Sequence, residues 1–470
     1  MTAGPPVALR HPACGWWVEE AGTTAPDLPL TGPVDADVVV VGAGYTGMWA
    51  AWCLLDADPA TRVVLLERDQ AGHGPSGRNG GFCKGLWLNL PVLVDQFGDD
   101  EALAVGYACE EAVEAIAAWC EAEAVDAWFT AGGYLSVSTS PLQDDIHMSA
   151  VAEAARLGVP DAVRALGPDE VRARFAAPAA RGGVLAPGAT IQPARLARRL
   201  RDALVRRGAR LFEHTPAVRI EERDAGVVVE TPGGAVRAER AILTAGPALV
   251  ALAPLATSLT VGSSHMIVTE PVPDVVAHYG WTRGEAVIDR RTLLHYLRTT
   301  PDGRIAFGWA GGRPALGGRV RGPVLHDARA IARAARHLTE LLPEVRGRTI
   351  EAGWGGPIDI SPTTLPAVVP LGARVDAAYG FTGRGVGPAR LIGEILAARA
   401  AGIQNERTRL PLVGRPDGSV PPEPVRWAGA STVRAALIRC DEQEARGEQP
   451  DPIARFVADL PRRLGITVGR

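Results

Sequence analysis

The feature that most constrains this chain is a run of four valines followed at once by a glycine-rich turn. Val38 to Val41 is β-branched throughout, which predicts a strand buried on both faces of a parallel sheet. The turn is Gly42-Ala43-Gly44-Tyr45-Thr46-Gly47, and an Ala/Leu-rich helical segment follows it. Glycine at the first, third and sixth positions permits a tight turn, a close approach of a pyrophosphate and close helix–strand packing. This order predicts a dinucleotide site with the phosphates at the helix N-terminus.

A carboxylate stands where such a site needs one. A second short strand, Arg62 to Leu66, ends in Glu67-Arg68, and Glu67 lies twenty residues after Gly47. A carboxylate at the end of the second strand can accept hydrogen bonds from ribose hydroxyls. It disfavours a 2′-phosphate, so the sequence argues against NADP.

Length and charge exclude several other classes. The chain has 470 residues, 49 Lys+Arg against 53 Asp+Glu, and a net charge of −4. This length suits two or three domains, and the charge lacks the basic excess of a nucleic-acid binder. No apolar stretch approaches the roughly 18–20 residues of a membrane helix, and no secretory signal is recognisable. The six cysteines form no C-x-x-C or zinc-like spacing, so we expect a cytoplasmic protein with reduced thiols and no metal.

A second glycine-rich segment separates this chain from plain NAD dehydrogenases. Directly after the second strand comes Ser76-Gly77-Arg78-Asn79-Gly80-Gly81-Phe82, where a dehydrogenase continues with another βαβ unit. Such a loop brings backbone N–H groups near a ligand, and Arg78 is placed to neutralise phosphate charge. With these motifs the chain resembles the FAD-dependent oxidoreductases of the D-amino acid oxidase superfamily, over roughly residues 15 to 402. Within that superfamily it is similar to the branch that contains γ-glutamylputrescine oxidoreductase and related amine oxidases.

The resemblance implies an α/β fold in two interleaved parts. A Rossmann-type FAD-binding domain with a central parallel sheet would be built from residues 36–90, 191–260 and 351–404. A substrate domain with an antiparallel sheet, α+β in character, would take residues 91–190 and 261–350. Residues 1–35 would be an extended surface arm, and residues 405–470 a tail with a Pro-rich linker and two helices.

Further contacts to the cofactor are implied by matching segments. The resemblance places the backbone of Ala217-Val218 at the adenine and closes Ala245-Gly246 over the dinucleotide. It directs Gly383-Arg384-Gly385-Val386-Gly387, and the helix from Ala389 to Ala401, at the flavin pyrimidine, where free N–H groups favour negative charge. Relatives that bind flavin through a cysteine carry it in the segment that corresponds to Trp354–Pro366, and this segment has no cysteine here, so the resemblance implies non-covalent FAD. Covalent attachment through Cys83, and flavin contact by His73, are minor alternatives.

The reaction that the resemblance implies is oxidation of a C–N bond. Hydride passes from the carbon beside a neutral amine to flavin N5, and the resulting imine hydrolyses. The substrate would be a small amine or amino acid, and the electron acceptor oxygen or an electron carrier. Two alternatives stay open, namely a dehydrogenase of 2-hydroxy acids or other C–OH substrates and a flavin-free scaffold that kept the fold.

Three side chains are the candidate catalytic residues. His265 is expected near the flavin ring at the start of the substrate sheet, Tyr296 on the cavity face of a strand, and Trp354 against the ring or in the core. Because side chains alternate along a strand, His295 is expected to face away from Tyr296. Arg298 is assigned to the face of His295, as a surface residue or a carboxylate clamp. Thr363 stands where relatives commonly carry Asp, which weakens any transfer of a polyamine preference.

Overall fold

A computed structural model describes residues 10–22, 24–414 and 418–467. In this part of the chain the helices are α1 (Trp16–Glu20), α2 (Tyr45–Ala57), α3 (Pro75–Arg78), α4 (Leu90–Phe97), α5 (Asp99–Ala122), α6 (Met148–Arg156), α7 (Pro168–Arg172), α8 (Pro193–Arg206), α9 (Pro273–His278), α10 (Ala328–Leu341), α11 (Pro388–Ala400), α12 (Val425–Ala445) and α13 (Pro452–Arg463).

The strands form two large sheets and one short pair. They are β1 (Val34–Val41), β2 (Val63–Leu66), β3 (Phe82–Cys83), β4 (Tyr134–Val137), β5 (Arg164–Leu166), β6 (Gly183–Ala186), β7 (Ala189–Thr190), β8 (Arg210–Phe212), β9 (Arg219–Arg223), β10 (Gly226–Thr231), β11 (Gly234–Leu243), β12 (Thr260–Thr269), β13 (Ala286–Asp289), β14 (His295–Thr299), β15 (Ile305–Trp309), β16 (Ile350–Ile360), β17 (Ala367–Pro370) and β18 (Val375–Tyr379).

The first sheet has the strand order β17-β18-β11-β1-β2-β8, and β10 and β9 extend it from β11. Its central pairings, β11–β1, β1–β2 and β2–β8, are parallel. Val38 and Val40 in β1 are buried in the cluster that contains α2 and α11, and Val39 is buried in the cluster on the opposite face of the sheet. The predicted parallel sheet with the dinucleotide turn at its centre is confirmed.

Helices α2 and α11 pack together beside the first sheet. Ten of the thirteen residues of α2 are buried, and a Cβ on Gly393 of α11 would lie 2.7 Å from the side chain of Trp49. The small residue therefore allows the two helices to approach closely. This packing places both helix N-termini, Gly44 and Gly387, at the carboxyl edge of the sheet.

The second sheet has the order β16-β12-β15-β14-β13-β4-β6-β5, and its pairings are antiparallel except for β13 with β4. The predicted strands near residues 293–308 are β14 and β15. The long strand β16 is the edge of this sheet, although the sequence analysis placed residues from 351 onward in the cofactor domain. Its pairing with β12, from Thr260 to Thr269, holds it there.

The two faces of the second sheet carry different residues. We call the face with Tyr296, Gly308, Met266 and Trp354 the loop face, since directly paired residues lie on one side of a sheet. The opposite face, the helix face, is built from Phe307, Leu297 and their neighbours and packs against α10. The loop face turns toward the segment of residues 76–84.

Both ends of the described chain pack against this framework. The predicted extended arm instead contains helix α1, in which Trp17 is fully buried against Trp354; residues 1–9 and 23 of the arm lie outside the described residues. The two helices predicted for the tail are α12 and α13, and Asp441 of α12 accepts hydrogen bonds from the amides of Thr292 and Leu293. Among the described residues, no helix is long and apolar enough to cross a membrane.

Candidate active site

The glycine turn after β1 forms a cradle that excludes side chains. Gly42 has φ +104°, and a Cβ there would lie 2.7 Å from the carbonyl oxygen of Thr244. A Cβ on Gly47 would overlap the carbonyl oxygen of Gly42. Helix α2 begins after Gly44 without a cap from that residue, so the amides of its first turn are available to an anion, except that of Tyr45, which donates to Ser76. The residues present therefore fit a dinucleotide pyrophosphate.

Glu67 lies at the end of β2 beside this cradle. Its carboxylate accepts hydrogen bonds from the amides of Ala43 and Asp69, both at 2.9 Å. Burial raises the pKa of Glu67, and these two hydrogen bonds oppose that shift. The carboxylate is thereby fixed at the place predicted for ribose binding. The Arg68 side chain is exposed and pairs with Asp69, so only its backbone is available to a cofactor.

The second glycine-rich segment packs against the cradle. Ser76 Oγ accepts a hydrogen bond from the amide of Tyr45 at 2.9 Å. Asn79 is held by the carbonyl oxygen of Ser76 and accepts from the amide of Gly81. Helix α3 and the turn after it are therefore locked to the first turn of α2. Tyr45 itself donates its hydroxyl to Pro193, so this side chain belongs to the core.

Arg78 is buried and donates to carbonyl oxygens from three segments. Its guanidinium reaches His73, Ala13 and Gly355 at 2.8–3.4 Å. These bonds use the guanidinium to join α3 to the N-terminal segment and β16. The position supports a structural role rather than the phosphate contact predicted from sequence.

Trp354 lies on the loop face and joins the sheet to this same segment. It is 1% exposed, and its indole N–H donates to the carbonyl oxygen of Arg78 at 2.9 Å. Trp17 packs edge-on against its ring, with 6.1 Å between centroids. Of the two interpretations offered by the sequence, these contacts support core packing.

The segments around residues 217 and 245 complete the cofactor edge of the first sheet. Gly246 has φ +53°, and the Cα of Ala245 lies 3.0 Å from where a Cβ on Gly42 would be. The amide of Val218 donates to the carbonyl oxygen of Glu230, and its side chain is 63% exposed. That amide is therefore used within the hairpin region, and the backbone contact to adenine expected at Ala217-Val218 stays a prediction.

The loop of residues 383–387 lies before helix α11, and Asp359 holds its beginning. Asp359 Oδ2 accepts from the amides of Gly380 and Phe381 at 2.6 and 3.4 Å. The carbonyl oxygen of Asp359 accepts from Thr382, which has φ +50°. Burial raises the pKa of Asp359 to about 6. The sequence analysis missed Asp359, because a single carboxylate in a strand carries no motif.

The loop of residues 383–387 is packed against neighbouring segments. Val386 is buried, and a Cβ on Gly387 would lie 2.5 Å from the carbonyl oxygen of Lys84. The amide of Ala389 donates to Gly385, which starts the helix. Gly383 has φ +76°, a conformation that glycine adopts without strain.

Tyr296 lies on the loop face, as predicted. Its ring crosses Gly308, where a Cβ would overlap the ring, and its hydroxyl is 2.7 Å from Ser264 Oγ. A Cβ on Gly80 would lie 2.9 Å from the same ring, so Tyr296 contacts the second glycine-rich segment directly. Burial raises the pKa of Tyr296 to about 12, which keeps the hydroxyl protonated.

The two histidines of the sheet lie on the helix face. His265 is paired with Trp309, and its Nε2 accepts from the amide of Asp327 at 3.1 Å. His295 is 2.7 Å from both Asp289 and His337. This orientation was predicted for His295. His265 was expected near the flavin ring, but its position in β12 directs its side chain toward α10, on the opposite face of the sheet.

Arg298 lies on the face of Tyr296, not on that of His295. Residues three positions apart point to opposite faces of a strand, so the assignment of Arg298 to the face of His295 was wrong. Arg298 pairs with Ala306 and donates to the carbonyl oxygen of Ile191 at 2.5 Å. Its guanidinium is thereby used between the sheet and the segment before α8, and it is not a surface residue.

Lys84 is a further residue that the motif search missed. It follows the glycine-rich segment directly and is buried on the side of Tyr134 and Arg384. It is also the only lysine in the chain. That count was a signal in the sequence, since every other member of the 49 basic residues is arginine.

Comparison with known proteins agrees with this geometry. Residues 37–399 match the DAO family, described as FAD dependent oxidoreductase. The probable oxidoreductase OrdL of Rhizobium meliloti is 29% identical over 430 residues, which cover 90% of this chain and 94% of that protein. The γ-glutamylputrescine oxidoreductase of Escherichia coli is 28% identical over 388 residues, covering 81% and 87%.

The fold is also that of solved flavoenzymes. Glycine oxidase from Geobacillus kaustophilus superposes with a TM-score of 0.66 at 20% identity, covering 79% of this chain and 96% of that chain. The glycine cradle, the ribose carboxylate and the matched family together confirm the resemblance and the cofactor. The chain belongs to the DAO family of FAD-dependent oxidoreductases.

Proposed function

We propose that this enzyme oxidises the C–N bond of a small amine or amino acid to an imine, which water then hydrolyses. FAD, when bound, supplies the two-electron acceptor for the hydride. The protein contributes orientation of the substrate and exclusion of water at the loop face. The finding that curated relatives include an oxidoreductase of γ-glutamylputrescine supports an amine substrate.

The observation that carries the proposal is the orientation of the sheet's histidines. Hydride loss from an alcohol needs a base for the hydroxyl proton, whereas a neutral amine supplies its own lone pair. His265 and His295 both lie on the helix face. The loop face presents the hydroxyls of Tyr296 and Ser264 instead. The loop face therefore presents hydroxyl groups and no histidine of this sheet to the second glycine-rich segment. This arrangement suits oxidation of an amine better than oxidation of a C–OH bond, which needs a base.

The hydroxyl pair has a specific task in this proposal. Because the pKa of Tyr296 is raised to about 12, its phenol acts as a hydrogen-bond partner and not as a base. The Ser264 hydroxyl also contacts the carbonyl oxygen of Trp309 at 2.8 Å, which fixes the pair in one geometry. With the Ser264 hydrogen donated to Trp309 and the Tyr296 hydrogen donated to Ser264, the Tyr296 oxygen can accept a hydrogen bond from an N–H of a neutral amine. The pair would hold the amine while its α-carbon faces the cofactor.

The test is anaerobic reduction of the purified FAD-loaded protein. Amines, amino acids and 2-hydroxy acids are added separately, the flavin absorbance is followed, and released ammonia or alkylamine is measured. We expect bleaching by an amine or amino acid together with release of a nitrogen product. Bleaching by hydroxy acids alone would refute the proposal. Oxygen consumption under air then separates an oxidase from an enzyme that uses an electron carrier.

A further inference from the structure

The C-terminal helix α12 contacts the second sheet although it lies outside the residues that match the family, 37–399. Three of its side chains form hydrogen bonds with backbone groups in segments that connect strands of this sheet. They are Arg426 before β12, Asp441 between β13 and β14, and Arg434 after β15. The helix therefore contacts segments that adjoin the strands of Ser264, Tyr296 and Gly308.

Arg434 holds the turn that follows β15. Its Nε–H donates to the carbonyl oxygens of Gly311 at 2.8 Å and Gly312 at 2.7 Å. Its guanidinium carbon lies 5.9 Å from the centroid of the Trp309 ring. A charged donor forms stronger hydrogen bonds than a neutral one. Arg434 therefore fixes two successive carbonyl groups of this turn from the side of α12.

The two glycines of this turn pack closely against the sheet. A Cβ on Gly311 would overlap the Trp309 ring, and a Cβ on Gly312 would lie 2.2 Å from the carbonyl oxygen of Ser263. This close approach excludes side chains at both positions. Glycine has no side chain to restrict its backbone, so a turn of two glycines needs contacts from other segments to keep one conformation. Arg434 supplies such contacts.

The carbonyl group of Trp309, at the end of β15, sets the direction of both hydroxyl groups of the pair. Its oxygen accepts a hydrogen bond from Ser264 Oγ at 2.8 Å, and Ser264 Oγ lies 2.7 Å from the Tyr296 hydroxyl. A hydroxyl group has one hydrogen to donate, so Tyr296 must donate to Ser264. The Tyr296 oxygen then accepts from the substrate. Trp309 stands two residues before Gly311, the first residue that Arg434 binds.

We propose that Arg434 is a positioning residue for the substrate. By holding the turn after β15, it keeps the carbonyl oxygen of Trp309 on Ser264, and the Ser264 hydroxyl in turn directs the Tyr296 oxygen to the amine. The inference rests on the proposed amine oxidation and adds helix α12 to the parts of the chain that determine how the substrate is held. Binding of FAD at the Gly42–Gly47 cradle should not depend on Arg434.

The first experiment is a double-mutant cycle in kcat/KM, measured on the FAD-loaded protein with the substrate that reduces its flavin. Arg434→Met should lower kcat/KM about 10-fold, as for the loss of one oriented hydrogen bond, and leave the Kd for FAD within about 2-fold. In a Ser264→Ala background the same substitution should lower kcat/KM by less than about 2-fold, because the group through which Arg434 acts is absent. A merely structural role would give equal losses in both backgrounds.

Two further variants complete the cycle. Arg434→Lys keeps a charged donor without the planar guanidinium, so its kcat/KM should lie between those of wild type and Arg434→Met. Arg434→Lys carries the same cycle if Arg434→Met does not fold. The matched control is Arg439→Met in the same helix, because the Arg439 side chain is 66% exposed and pairs with Asp451. It should leave kcat/KM within about 2-fold of wild type.

The second experiment needs no substrate. Amide hydrogen exchange of the FAD-loaded protein is followed in the turn, where Ala310 donates to Leu294 and Ala315 donates to Val261. Arg434→Met should exchange these amides about 10-fold faster than wild type or Arg439→Met, because the turn opens locally more often. Exchange in the Gly42–Gly47 cradle should be the same in all three proteins.

The outcomes separate this inference from the proposed reaction. Equal losses of kcat/KM with and without the Ser264 hydroxyl overturn the positioning role, and so does exchange in the turn that matches Arg439→Met. Weaker FAD binding by Arg434→Met, about 10-fold or more, assigns Arg434 to the cofactor domain and also overturns it. If only a hydroxy acid reduces the flavin and the cycle is still non-additive, the positioning role stands and the proposed amine oxidation fails. If no substrate is found, the exchange measurement decides.

Discussion

Gly308 should be essential for the geometry of the candidate catalytic tyrosine. A Cβ at position 308 would overlap the ring of Tyr296 and lie 2.5 Å from its hydroxyl oxygen. In Gly308→Ala the ring must therefore swing away and give up its contact with Ser264. Overpacking of this kind costs about 1–3 kcal/mol, and the lost hydrogen bond adds about 1 kcal/mol. We expect Gly308→Ala to lower the free energy of unfolding by about 2–4 kcal/mol.

A double-mutant cycle distinguishes overlap with the Tyr296 ring from a destabilisation of β15 that does not involve this ring. In a Tyr296→Leu background the ring is absent, and alanine is intrinsically better than glycine in a strand by about 0.5–1 kcal/mol. Gly308→Ala should therefore be neutral or slightly stabilising there, which gives a coupling energy of about 2–4 kcal/mol. Amine oxidation should be lost in both backgrounds.

The assay is urea unfolding of the FAD-loaded protein at fixed excess FAD. Gly262→Ala is the matched control, because it lies in β12 of the same sheet and its Cβ would meet only the flexible end of Ile360 at 3.0 Å. It should change the free energy of unfolding by less than about 1 kcal/mol. Equal costs of Gly308→Ala with and without the Tyr296 ring would refute the reasoning.

Variants at four positions test the remaining contacts. Tyr296→Phe removes only the hydroxyl, so kcat/KM for the amine should fall about 10-fold while flavin content stays normal; an unchanged kcat/KM would remove the hydroxyl from the proposal. Glu67→Ala should weaken FAD about 10-fold or more by equilibrium dialysis, with Glu67→Gln intermediate because it keeps one acceptor. Trp354→Phe leaves a buried carbonyl unpaired and should destabilise the holoenzyme by about 1–3 kcal/mol in urea unfolding. The raised pKa of Asp359 favours the folded state below about pH 6, so wild type should lose about 1 kcal/mol relative to Asp359→Asn between pH 5 and pH 8, and a difference independent of pH would contradict that shift.

The residues of the candidate dinucleotide site could be predicted from the sequence because they lie in one short, continuous segment. Gly42, Gly44 and Gly47 lie in one turn, so their spacing is visible in the sequence, whereas the distant groups that a Cβ would meet, Thr244 at Gly42 and Ser76 at Gly44, are not. Glu67 was found by the same logic, because two adjacent parallel strands end at one edge of a sheet. These predictions needed only the order strand, turn, helix, strand and acid.

The substrate half depends on strand parity and register, which a sequence does not display. One position decides which face a side chain takes, and our assignment failed for Arg298 for that reason. His265 was expected near the flavin ring, and Trp354 either against the ring or in the core. The two lie on opposite faces because β12 pairs with β16 and β15 in a fixed register. The domain boundaries stay predictions, with β16 lying in the sheet that was not expected to contain it.

By itself the sequence determined that this chain binds a dinucleotide and belongs with the FAD-dependent oxidoreductases. That information is carried by glycines and a carboxylate whose spacing is dictated by the shape of the ligand. Only the tertiary structure decided which groups surround the substrate. His265 faces away from the second glycine-rich segment, and the Tyr296 ring lies across Gly308. Lys84 is buried and is affected by the charge of Arg384, which is 300 positions away in the chain. Such contacts join distant strands and loops, so their partners are set by sheet pairing and burial and not by local spacing.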